Sequence, residues 1–279
     1  MPQGKSIEPV TTYRSKGFAR IGSLFEESEL AQLHEVLLRF HSRWQEANTQ
    51  FYEARAVNSA YLTDSDHLSP DDRRVLFRLL GDRRIERILS AIFAGPVAFM
   101  NTQLFFDPVN PEQPNYWHRD IQYSGAPEAV QREELARINV LHLRLALMPE
   151  RGIELVPGSH KRWDTDAEYS VRMEQGQRKV SDDLPNTECV PMARGELLVF
   201  SANMLHRGLY GGNRFAFDML FCDPLESLVK YVRPSCLPQG DDLEVIVNPA
   251  PFLEALRVIE QSNLKELACK RMDSIKEDL

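Results

Sequence analysis

From about Glu26 to Glu46, Leu30, Leu33, Leu37, Phe40 and Trp44 recur at three- and four-residue spacings, which predicts a helix with one apolar stripe. A second helical region begins at "SPDD", where Ser69 suits the cap, Pro70 the first turn, and Asp71 and Asp72 the positive helix end. It extends to about Ala94 with a break near Gly81. After Val97 the apolar period shortens from helical to strand-like. "VAFMNTQLFF", "NYWHRDIQY", "INVLHLRLALM", "IELVPGSH", "ECVPM", "GELLVFS" and "RFAFDMLFC" read as short strands separated by Pro, Gly, Asn and Asp, following an earlier short strand at "FARIG". Such a series predicts a sandwich or double-sheet jelly roll. Another helical stripe closes the chain from Pro251 to about Ile275. Two polar insertions, about Ser124 to Arg137 and about Lys161 to Thr187, interrupt the strands. Long connections of this kind are where substrate gating is expected, unless they are plain surface loops.

Composition narrows the class of partner. The chain has 279 residues, 43% apolar and 27% charged, and suits one globular domain spanning 1–279: a helical part at about 24–95, a jelly-roll core at about 97–223 and a C-terminal helix at about 251–276. A formal net charge of −8 with dispersed acidic residues disfavours nucleic acid or an anionic membrane as partner. The most apolar segment, Ile88 to Met100, is too short to span a bilayer and is interrupted by Gly95-Pro96. Cys189, Cys222, Cys236 and Cys269 form no CxxC pair and read as reduced thiols of a cytoplasmic protein without a secretion signal. The pattern is silent on oligomeric state.

The candidate chemistry lies in "WHRDIQY". On a strand, residues i and i+2 share a face, so His118 and Asp120 would project together while Arg119 points away. An HxD alone is equally at home on the wet face of a sheet; a third ligand must come from elsewhere. "GELLVFSANMLHRGLYGGNRFAF" supplies His206, followed by Gly211-Gly212, which can make a tight hairpin before Arg214 enters the next strand. Two His and one carboxylate form the facial set that leaves positions open on Fe(II). His34 and His41, beside the first helical stripe, and His160, in a Pro-Gly-Ser turn, read as structural.

These motifs, with "VPGSHKRW", resemble the phytanoyl-CoA dioxygenase-like family of Fe(II)- and 2-oxoglutarate-dependent oxygenases, from "GFARIG" to "AFDMLFC". The resemblance implies a mainly β fold with flanking α-helices, a double-stranded β-helix (cupin-like jelly roll), with His118, Asp120 and His206 as iron ligands. Arg214 matches the arginine that pairs with the distal carboxylate of 2-oxoglutarate, and Gln103 falls where the family contacts that cosubstrate. A buried guanidinium needs an anion; an internal bridge to Asp218 would serve Arg214 equally well. The implied reaction uses Fe(II), 2-oxoglutarate and O2 to hydroxylate a C–H bond of a small molecule, releasing succinate and CO2. A non-redox cupin-type isomerase or binding module is the alternative, and it would not need Arg214. Asp120 argues against a halogenase, whose relatives vacate that position. The interval from His206 to Arg214 is shorter than in familiar members, and Arg144 stands where many carry an aromatic.

Along "NVLHLRLAL", His142, Arg144 and Ala146 share one face and the leucines the other, which places Arg144 and His142 as candidate substrate contacts. An unpaired Arg144 would favour an anionic substrate; a pair with a strand carboxylate such as Glu154 is the competing role.

Overall fold

The computed structural model describes residues 7–277, with side chains from 9 to 265. Among the described residues nine strands form two sheets: β1 (Phe18–Ile21), β2 (Asn58–Ala60), β3 (Ala98–Phe106), β4 (Val140–Ala146), β5 (Glu150–Leu155), β6 (Glu188–Met192), β7 (Leu197–Ser201), β8 (His206–Gly208) and β9 (Phe215–Cys222). The larger sheet runs β1-β7-β4-β9-β3-β2 and the smaller β6-β5-β8. All their pairings are antiparallel. The molecule is thus mainly β with flanking helices, a jelly roll whose interior lies between the two sheets.

The helices are α1 (Ile7–Lys16), α2 (Glu27–Ala47), α3 (Thr49–Arg55), α4 (Pro70–Leu80), α5 (Arg83–Ile92), α6 (Glu128–Leu135), α7 (Asp166–Arg172), α8 (Glu226–Val229) and α9 (Ala250–Glu277). The predicted stripe of α2 is buried, and Val36 joins it. Ser69 caps α4 by accepting from the Asp72 N–H, and Asp82 restarts the chain as α5 by capping Arg84, so the break near Gly81 is a change of helix.

Strand alternation divides the interior. In β4, Leu141, Leu143 and Leu145 join Phe217, Met219 and Phe221 of β9 in the large core beneath the helices. Each such side chain contributes about 1.5–3 kcal/mol by leaving water. The opposite faces turn inward. Ala146, Leu198 and Phe200 meet Ile153, Leu155 and Val190 of the small sheet, while His142 and Arg144 occupy the same inner face as polar residues.

Several expectations need correction. "WHRDIQY" is not a strand: only His118 forms a bridge, to His206, and Asp120–Ser124 turn into a 3-10 helix. The segment after His206 is not a hairpin, because β8 pairs with β5 while β9 pairs with β4 and β3. Gly211 and Gly212, at φ 91° and 96°, instead turn the chain from one sheet to the other. β2, β8, α1, α6 and α7 are too short or too polar to give a periodic signal. Cys269 lies outside the described side chains, and Cys189, Cys222 and Cys236 are free thiols. No helix among the described residues is long and apolar enough to cross a membrane.

Candidate metal centre

His118, Asp120 and His206 converge so that one ligand atom from each lies within 4.8 Å of the others. His118 and His206 are cross-strand partners, each donating its backbone N–H to the other's carbonyl at 3.0 Å. The 3-10 turn then swings Asp120 toward the same point, with its backbone N–H on Ala202. Convergence therefore comes from one bridge and one turn, where regular alternation was expected.

Each imidazole is fixed in one tautomer. His118 Nδ1 faces the Tyr116 carbonyl at 3.2 Å and His206 Nδ1 the Met204 carbonyl at 3.0 Å. A carbonyl can only accept, so Nδ1 carries the hydrogen and the Nε2 lone pairs are free. Those Nε2 atoms lie 3.7 and 3.8 Å from Asp120 Oδ1. Burial lowers both histidine pKa values, that of His206 to about 3, which preserves the neutral form a metal needs.

His142 has a different task. Its Nε2 meets Asp120 Oδ2 at 2.8 Å and its Nδ1 meets Asp218 Oδ2 at 3.0 Å. Burial opposes its charge, but the two carboxylates outweigh that and raise its pKa to about 9. Protonated, it donates from both nitrogens and has none left for a substrate. It occupies one Asp120 oxygen and leaves Oδ1 turned to the histidines. Burial pushes Asp120 up, yet His142 and its neighbours hold the carboxyl well below the usual range.

Arg144 is not the unpaired cation that an anionic substrate would have needed. It is fully buried, with Nε and Nη2 donating to Glu150 at 2.9 and 2.8 Å and Nη1 to Asp218 at 3.2 Å. The strand-carboxylate role is the one observed, with Glu150 in place of Glu154, which instead accepts from Arg207 and Thr187. Arg144 and Asp218 are direct cross-strand neighbours, so the pair follows from register.

Arg214 is the opposite case. It is 4% exposed, yet none of its guanidinium nitrogens has a hydrogen-bond partner among the described residues, and the nearest carboxylate, Glu150, is 3.6 Å away. Asp218, the alternative partner, is taken by Arg144 and His142. Burial and the charge of Arg144 depress the Arg214 pKa to about 10, so it stays cationic at neutral pH. The guanidinium lies 5.0 Å from the Phe105 ring and 5.6 Å from that of Tyr210. Gly208 passes so close that a Cβ there would come within 2.5 Å of Nη2. Asp107, which motif reading missed, braces the loop by accepting from the Gly211 and Arg214 N–H groups at 2.7 and 3.0 Å.

The triad, Arg214 and Gln103 line one cavity of about 530 Å³. His34 and His41 pack on Phe215 and His160 lies against Tyr13, all outside that cavity. Also missed were Tyr116 and Tyr123, whose rings flank His118 at 4.9 and 5.9 Å, and Asn101, two residues before Gln103 on β3. Period-two reading of "NTQLF" carries the Asn101 signal.

The insertion at about 161–187 does not line the cavity. It backs the ligands instead. Arg119 donates to Asp164 at 2.6 Å, Trp117 Nε1 to the Asp182 carbonyl at 3.0 Å, and Arg207 to Asp183 at 2.7 Å and the Ser181 carbonyl at 2.8 Å. Trp117 and Leu205 share a small core with Val156, Val171 and Leu184. The residues flanking His118 and His206 are therefore anchored in this segment.

Comparison with known proteins agrees with the fold. The family model described as phytanoyl-CoA dioxygenase (PhyH) matches residues 13–213. EctD from S. alaskensis, solved with 2-oxoglutarate and 5-hydroxyectoine, is 13% identical over 79% of this chain and 77% of its own, TM-score 0.55. HygX from Streptomyces hygroscopicus, solved with nickel and 2-oxoglutarate, is 15% identical over 78% and 87%, TM-score 0.54. SnoK, an alpha-ketoglutarate-dependent carbocyclase from nogalamycin biosynthesis, is 18% identical over 86% and 96%, TM-score 0.53. A search of curated protein sequences finds no match.

Proposed function

Because the chain belongs to the phytanoyl-CoA dioxygenase family of iron- and 2-oxoglutarate-dependent oxygenases, we propose that it hydroxylates a C–H bond of a small molecule with Fe(II), 2-oxoglutarate and O2. One observation carries this reading. Three ligand atoms with locked orientations share a cavity with a buried arginine whose guanidinium has no hydrogen-bond partner among the described residues. The first feature fits a facial metal set and the second fits an anion with a carboxylate end. A non-redox cupin-type protein would account for the triad and leave Arg214 without purpose.

When bound, the metal and 2-oxoglutarate activate O2 so that one oxygen atom enters the substrate and the other succinate, with CO2 released. The chain's own groups hold the parts. His118, Asp120 and His206 would ligate the metal, and His142 would fix Asp120. Arg214 would take the distal carboxylate in bidentate fashion, with Gln103 alongside. Charge supports the arrangement. Arg144, Arg214 and protonated His142 balance Asp120, Asp218 and Glu150, so a dication and a dianion enter together with no net cost in charge. SnoK, a carbocyclase, shares this fold, so the fold by itself does not fix the outcome of the reaction.

The test is anaerobic reconstitution with Fe(II) and 2-oxoglutarate, following the metal-to-ligand charge-transfer band and then succinate release in air. His118→Ala, Asp120→Ala and His206→Ala should each lose iron while remaining folded. Arg214→Ala should weaken 2-oxoglutarate by about 2–5 kcal/mol and spare iron. Full iron in all three ligand variants, or unchanged cosubstrate affinity in Arg214→Ala, would refute the assignment.

A further inference from the structure

The register of the large sheet arranges the cavity in rungs. Gln103, Asp218 and Arg144 are cross-strand neighbours on one rung, beside the Arg214 end. The next rung is Asn101, Leu220 and His142, level with the metal ligands because His142 holds Asp120. Beyond it the lining turns apolar at Val140, Ile138 and Leu228. A cosubstrate spanning from Arg214 to the metal uses the first rung, so the second and the apolar space beyond it are left for the substrate.

Asn101 is the one polar side chain of that second rung not already committed to the metal ligands. It is 9% exposed. Its Oδ1 accepts from the Thr102 N–H at 2.7 Å and the Tyr61 N–H at 3.2 Å. Those donors identify the oxygen, so Nδ2 is turned the other way, and it makes no hydrogen bond to a described residue. Two devices aim it. A bulge between Phe99 and Asn101 shifts the alternation, so that Phe99 packs in the core while Asn101 and Gln103 face the cavity. Tyr61, whose N–H clamps Oδ1, sits in the left-handed region at φ 64°, a strained conformation for tyrosine. It is held there by Arg233 stacked 3.7 Å from its ring and by its hydroxyl on the Tyr231 carbonyl.

We propose that Asn101 is a substrate-holding donor and that the substrate presents to it a neutral carbonyl or amide oxygen on a largely apolar frame. The inference rests on the oxygenase reading for the placement of the cosubstrate. Neutrality follows from the charges. Of the cationic groups lining the cavity, Arg144 is saturated by Glu150 and Asp218, both nitrogens of His142 are taken by Asp120 and Asp218, Arg214 lies at the other end, and Lys230 is solvent-exposed. Glu134, with no ion pair among the described residues, would repel an anion. A carboxylate on the Asn101 rung would be desolvated without a counter-charge. This replaces the anionic substrate expected from Arg144.

The experiment uses three probes of one shape: cyclohexanecarboxamide, cyclohexanecarboxylate and cyclohexylmethylammonium. Each is titrated anaerobically into the Fe(II)- and 2-oxoglutarate-loaded protein, reading the perturbation of the charge-transfer band. The amide should bind tightest. Asn101→Asp keeps both backbone bonds to Oδ1 but replaces the donor by an acceptor; it should weaken the amide about tenfold and leave iron and 2-oxoglutarate affinity nearly unchanged. Asn101→Ser repeats the comparison should the aspartate disturb Tyr61. Preference for either charged probe, no binding of any probe, or an unchanged amide affinity in both variants overturns the proposal. If wild type shows no charge-transfer band, the oxygenase reading has failed; ligand-observed NMR with the same probes then decides the Asn101 subsite on the same criteria.

Discussion

The two polar insertions are similar in sequence and opposite in structure. The first, about 124–137, places Ser124, Ala126 and Glu134 on the cavity and is otherwise mostly exposed, fastened by buried Leu135 and by Asn203, whose amide donates to the Leu135 and Ile138 carbonyls. The second, about 161–187, contributes nothing to the cavity lining and carries Asp164, whose buried carboxylate takes both Arg119 and Arg172. The first suits a wall that a substrate meets. The second is a buttress behind His118 and His206. Polarity in a long connection therefore does not distinguish a surface that greets solvent from one that buries its charges in pairs.

The sharpest way to break this contrast is Asp164→Ala. Arg119 and Arg172 would be left buried without their shared carboxylate, so stability should fall by about 3–5 kcal/mol in denaturant unfolding. Iron affinity in the folded fraction should fall roughly 10- to 100-fold, as for lost support of a ligand shell. Full iron affinity in a merely less stable protein would reduce the buttress to ordinary packing.

Arg207→Gln tests the other ligand more gently. Buried Arg207, next to His206, touches Glu154, Asp183 and the Trp117 ring, but Asp183 is itself in solvent. The expected loss is about 1–2 kcal/mol, with several-fold weaker iron binding by equilibrium titration. An unchanged metal affinity would confine the buttress to the His118 side.

For the first insertion, Glu134→Gln should stay within about 0.5 kcal/mol of wild type in stability and bind iron equally well. Only substrate KM should move. A drop in iron affinity would erase the distinction between the segments.

The smallest effect is one of pH. His160, at the edge of the buttress, has its pKa depressed to about 4 by burial and by Lys161. Its folded pKa lies below the unfolded value near 6.5, so its neutral form supports the fold above that pH and the support fades as pH falls toward 4. Between pH 7 and 5, His160→Phe should lose less of its melting temperature than wild type, by a few degrees at most. An identical pH slope would remove His160 from the account.

What the sequence determined by itself was local or chemical. The α2 stripe, the Ser69 cap and the leucine face of β4 follow from periodicity and capping, because each is decided within a few residues. His118, Asp120 and His206 were legible together as a ligand set, Arg214 as a cation needing an anion, and Gln103 only through the family resemblance; all five line one cavity. Tertiary structure decided the rest, because partners distant in sequence set it. Arg144 and Arg214 look alike in the chain. One is neutralised because cross-strand register puts Asp218 opposite it and the turn into β5 brings Glu150, whereas the other is left facing the cavity because those carboxylates are already used. Asp120 reaches the metal centre through a 3-10 turn that no alternation predicts, and Phe99 leaves the face of Asn101 and Gln103 for the core because of a bulge. Pairing of buried charges is a contest among groups brought together only by folding, and the chain alone does not say which guanidinium is left without a hydrogen bond.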